Sequence, residues 1–135
     1  AIQKAQTPAV KDFAQMMVSM HTMAQARQNA LAMTLNLTPV ENAISMMLRE
    51  QRQAIRTMLL EASDADFDRI YAEAQVNAHS MVLQIIDDIL LPSATNAMLR
   101  AELMTTRMSV VNHLAMAMEL LDQVRARDGE EDAGM

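Results

Sequence analysis

Three side chains hold most of the chemistry this chain could do: His21, His79 and His113, its only histidines. Each follows a valine by three residues, in Val18-Ser-Met-His21, Val76-Asn-Ala-His79 and Val110-Val-Asn-His113. Each also falls on the apolar stripe of a different helical stretch, where apolar residues recur every three or four positions. If facing inward were a one-in-three chance, all three would do so about once in thirty. Three neutral imidazoles around an open position suit Zn(II), or copper with methionine nearby, and Met17, Met20 and Met47 have a fitting pattern. The competing reading is structural. Core histidines would then bond to one another, to water, or to Gln51, Asn77 or Asn112, because a buried ring nitrogen needs a partner.

Other chemistries find little support. There is no cysteine, hence no disulfide, thiolate nucleophile or thiolate metal site. A di-iron carboxylate centre needs Glu-x-x-His, and here valine occupies the position three before every histidine. Ser109 and His113 share a helical turn, but no acid orients that ring, so no catalytic residue and no enzyme activity is assigned. Asp87, Asp88 and Glu102 read as solvated charges. The net charge of −6 argues against nucleic acid, which needs a clustered basic surface. Arg49, Arg52 and Arg56 share their helix with Glu50 and Glu61 and read as a solvated face. No apolar run approaches the ~18 residues of a membrane span. The opening AIQKAQ reads as the end of a helix rather than a signal peptide, which suggests a processed or trimmed start.

Methionine is the anomaly, at 15 residues, against two Phe and one Tyr. The plain reading is a soft core in which Met replaces Leu and Phe. The sharper one is thioether ligation of a soft metal such as Cu(I).

The elements that must position the histidines are all helical. Ala, Leu and Met dominate, β-branched and aromatic residues are scarce, and the chain has only two Gly and three Pro. After a helical stub at residues 1–6, Thr7 caps and Pro8 opens a helix reaching about Leu35, with stripe Val10, Ala14, Met17, His21 and Ala24. Thr38-Pro39-Val40-Glu41 reads as a capping box for a second helix ending near Ala62. It would turn Ile44, Met47, Leu48, Gln51, Ile55, Met58 and Leu59 inward. A third helix spans about Asp66 to Leu91, stopped by Pro92. Ser93 or Thr95 caps a fourth, carrying Leu103, Val110, His113, Ala117 and Val124 inward. Short connections predict an up-down-up-down antiparallel four-helix bundle over 1–127, followed by a disordered acidic tail over 128–135. Traced at ~1.5 Å per residue, His21 and His113 fall within roughly 3 Å of one level, and His79 roughly 6–9 Å away.

The order of several motifs resembles a bacterial family known as a domain of unknown function, four-one-four-two, placed among ferritin-like bundles. Thr7-Pro-Ala-Val-Lys-Asp-Phe13 with Met16, Val18, His21-Thr22 and Leu37-Thr-Pro39 carries the first part. Phe67-Asp68-Arg-Ile-Tyr71 with Gln75-Val76 and His79 is the most specific, and His113-Leu-Ala115 with Ala117 completes it. The chain departs in having Met20 where the family often has Asp. The resemblance implies a ferritin-like fold and an exported protein, periplasmic or secreted, and implies no activity. Two expectations follow. One is an exported bundle binding Zn or Cu through His21, His113 and His79. The other is a metal-free structural or protein-interaction module of the cell envelope, monomeric or homodimeric.

Overall fold

The computed structural model describes residues 3–134, except for the side chains of Glu131 and Asp132. The described residues form an all-α, four-helix structure: α1 (Pro8–Thr34), α2 (Ala43–Glu61), α3 (Asp64–Ile85) and α4 (Ala97–Ala133). Between α3 and α4 lie a π turn, Ile86–Leu90, and one α turn, Leu91–Ser93.

Caps decide where the helices begin. Thr7 Oγ1 accepts from Val10 N–H and Pro8 occupies the first turn, as its fixed φ favours. Asn36 takes a left-handed φ of 51° at the end of α1, where Leu37 N–H returns to the Ala32 carbonyl at 2.8 Å. The capping box of α2 is built by Asn42 and Ser45, not by Thr38 and Glu41. Asn42 Oδ1 accepts from Ser45 N–H at 2.9 Å, and Ser45 Oγ accepts from Asn42 N–H at 3.0 Å. Asn is at least as good a cap as Thr, so Pro39 to Glu41 stay outside the helix. Asn96 likewise caps α4 in place of Ser93 or Thr95, accepting from Met98 and Leu99 N–H. Ser63 caps α3.

Pro92 does not end the third helix at Leu91. The preceding turn widens, so that Leu91 N–H reaches the Ile86 carbonyl, and the helical path continues to Ser93. The wider turn accommodates a ring that would clash with the carbonyl four residues back. The acidic segment from Asp128 is helical as far as Ala133, where a disordered tail was expected. Arg127 anchors this end, through Asp68 and Asp128, and Gly129 keeps a helical backbone instead of the positive φ that would end the helix. Met135 lies outside the described residues.

Residues 3–6 are not helical; Ala1 and Ile2 of the expected stub lie outside the described residues. Two side chains, Asp68 and Lys4, hold this strap in place. Asp68, fully buried, accepts from Gln6 and Thr7 N–H at 2.9 Å each and pairs with Arg127 at 3.2 Å. Lys4 Nζ donates to the carbonyls of Leu59, Leu60 and Ala62, which closes the C-terminal end of α2.

The main core lies where α1, α3 and α4 meet: Val10, Phe13, Ala14, Met17, Phe67, Tyr71, Ala72, Ala117, Leu120, Leu121 and Val124. Phe13 meets Tyr71 edge-on at 6.3 Å, and Phe67 stacks on it at 6.1 Å. Burial raises the Tyr71 phenol to about 12. Along the pairs His21–His113 and Arg27–Glu102, α1 and α4 run in opposite directions, and Asp87–Arg107 and Glu73–Arg125 show the same for α3 and α4. Glu102 and Asp87, expected as solvated charges, are ion-paired between elements.

Helix α2 contributes no fully buried residue. Ile44, Leu48, Gln51, Ile55 and Leu59 are half-buried, while Met47 and Met58 are exposed. Methionine does not fill the core either. Among the described residues ten methionines are well exposed, including Met33 at 83% and Met108 at 65%, and only Met17 belongs to the buried core. The close helix contacts are made by Ala14, Ala72 and Ala117, which leave little volume for filler. Among the described residues, no helix is long and apolar enough to cross a membrane.

Candidate metal centre

The histidines come from three helices at the edge of the main core. His21 lies one turn beyond Met17 on α1, and His113 one turn before Ala117 on α4. The ring centroids are 5.5 Å apart for His79–His113, 5.8 Å for His21–His113 and 6.0 Å for His21–His79. His79 is therefore in the same layer as the other two, not the 6–9 Å away that end-to-end tracing suggests. The turn accounts for the difference: His79 lies 17 residues before Asn96 and His113 lies 17 after it, so the α3–α4 hairpin brings them level.

His79 and His113 are buried, and His21 stands at the exposed edge. His79 Nδ1 donates to the Gln75 carbonyl at 2.8 Å. A carbonyl only accepts, so Nδ1 carries a proton and Nε2 is the nitrogen left to offer a lone pair to a metal. A backbone carbonyl of this kind commonly orients metal-bound histidines. The partner is thus the main chain of α3, not Gln51, Asn77 or Asn112. His79 Nε2 and His113 Nε2 are both buried with no hydrogen-bond partner. Burial, then the proximity of His79, lowers the basicity of His21 and His113, with His21 adding to the effect on His113. Both rings are neutral at pH 7, the form that ligates metal.

One nitrogen from each ring lies within 4.8 Å of the other two. The centre of such a triangle is at most about 2.8 Å from each nitrogen, against a Zn–N bond of ~2.0–2.1 Å. Closing on an ion needs a movement of about 0.7 Å per ring, within the reach of small side-chain rotations.

Space adjoins the triad on two sides. A cleft of about 470 Å³ between α1 and α4 is lined by Met20, His21, Met23, Ser109 and His113, among others. A cavity of about 370 Å³ beneath α2 touches His21, Leu48, Gln51, Ile55 and His79. Among the described residues, no carboxylate lines either space. Of the expected thioethers, Met20 lines the cleft and Met17 lies beside His21 in a separate groove, while Met47 lines none of these. Among the described residues, these histidines are the group of three or more His and acidic side chains able to hold a metal ion. Sequence reasoning missed Gln75 as the residue that orients His79 and Asp68 as the buried anchor. The i to i+4 spacing of Gln75 and His79 was visible, but a main-chain acceptor leaves no mark on residue type.

Residues 1–120 match a domain of unknown function, DUF4142, and the chain belongs to that family. No curated protein and no solved structure matches it.

Proposed function

We propose that this protein binds a single metal ion, Zn(II) or copper, through His79, His113 and His21, and serves as its carrier or sensor. One observation carries the reading: two buried Nε2 atoms without partners lie in one cluster with a third imidazole. A buried ring nitrogen without a partner costs about 1–3 kcal/mol, and one bound cation would relieve both. The Nδ1–H contact to Gln75 supports it further, since it turns the free nitrogen of His79 away from its own helix backbone.

Metal analysis by mass spectrometry on untagged protein tests this. About one ion per chain is expected after incubation with Zn(II) or Cu and desalting, and it should be lost in His79→Ala/His113→Ala with helix content retained. No retained ion would overturn the reading. A metal-free structural module is favoured by the exposure of His21, and it predicts no ion and unchanged metal content in every histidine variant. Export, to the periplasm or beyond, is proposed from the family resemblance alone, and fractionation of the producing cells tests it.

A further inference from the structure

We infer that Met20 and Met23 complete this centre with thioether sulfur and make Cu(I), rather than Zn(II), its cargo; this rests on the histidine metal site proposed above. Both side chains line the cleft between α1 and α4 that also holds His21 and His113. Neither is core filler, as Met20 is 38% and Met23 54% exposed. Met16, Met20 and Met23 follow the i, i+4, i+7 spacing of a single helical row. The row begins at Met16, which with Met116 lines a separate groove between the same two helices, and Met116 is three residues from His113. Thioether sulfur thus lines the α1 wall of the cleft that holds His21 and His113.

The charge of the site points the same way. With no carboxylate lining the cleft or the cavity beneath α2, the donors on offer are neutral nitrogen and sulfur. Arg27, the only charged group lining the cleft, is held by Glu102 at 2.8 Å. A neutral N/S set leaves the double charge of Zn(II) uncompensated and suits a soft monovalent ion.

The test compares wild type with Met20→Leu/Met23→Leu, whose exposed positions and near-equal helix propensity leave folding intact. Cu(I) affinity is measured anaerobically against bathocuproine disulfonate, and Zn(II) affinity against a chromophoric chelator. The double variant is expected to lose at least tenfold in Cu(I) affinity, with the Zn(II) affinity falling far less. Copper K-edge absorption should show a sulfur neighbour in wild type that the variant lacks. Equal losses for both ions, no loss of Cu(I) affinity, or an all-nitrogen copper shell would overturn the thioether assignment while leaving the histidine site standing. If wild type binds neither ion, or His79→Ala/His113→Ala binds Cu(I) as wild type does, the histidine reading itself fails and takes this one with it.

Discussion

Replacing His113 by leucine separates a metal ligand from a packing residue by the sign of its effect. In the metal-free protein His113 is only 4% exposed and its Nε2 has no partner. That unpartnered nitrogen costs about 1–3 kcal/mol, and leucine removes it while supplying an apolar side chain of similar size. In a chelating buffer the variant should therefore be as stable as wild type, or up to ~2 kcal/mol more stable. For a chain of this length each kcal/mol moves the Tm by about 3–5 °C, so the gain is up to ~8 °C. With Zn(II) at a hundred times its Kd, wild type should gain about 2.7 kcal/mol, or roughly 10 °C, and the variant much less. Thermal unfolding followed by circular dichroism at pH 7.5, with chelator and with ZnCl2, reads both effects. The order of the two Tm values should reverse between the buffers. A variant more than ~2 kcal/mol less stable than wild type in chelator, with neither protein responding to metal, would refute the reasoning: His113 would then be a satisfied structural residue.

Three further outcomes follow from the geometry. His21 and His113 have lowered basicity in the fold, so the unfolded chain takes up protons at a higher pH than the native one. Metal-free stability should be complete above about pH 6.5 and fall as the pH drops through that value towards the lower native pKa values, and a urea midpoint that stays flat from pH 8 to 5.5 would contradict this. Asp68→Ala should cost about 3 kcal/mol in urea unfolding, because it leaves two backbone N–H groups without their acceptor and removes the fully buried partner of Arg127; a loss below ~1 kcal/mol would count against the anchor. Helix α2, with no fully buried residue, should exchange its amide hydrogens fastest of the four helices, and Asn42→Ala should accelerate that exchange by about 1 kcal/mol; uniform protection across all helices would contradict it.

Composition and periodicity alone determined the helical class, the four helices and the histidines as the residues to watch. Each is written in local physics: propensity, three-and-four spacing, and Thr7-Pro8 at the start of α1. Caps were less legible, because Thr38, Asn42, Ser93, Thr95 and Asn96 are all competent, and the structure uses Asn42 and Asn96. The role of methionine was illegible for a related reason. Apolar residues at helical spacing look alike whether or not a neighbouring helix covers them, and on α2 and the outer faces of α1 and α4 none does so fully. The strap at residues 3–6 depends on Asp68 and Lys4 reaching partners some sixty residues away, which no local pattern records. The common level of the three imidazoles was likewise decided by tertiary structure. The turn at Asn96 sets His79 against His113, and the packing of α1 brings His21 to the same layer. A sequence names the donors, whereas the distances between them depend on where each helix is capped and how closely Ala14, Ala72 and Ala117 let the helices approach.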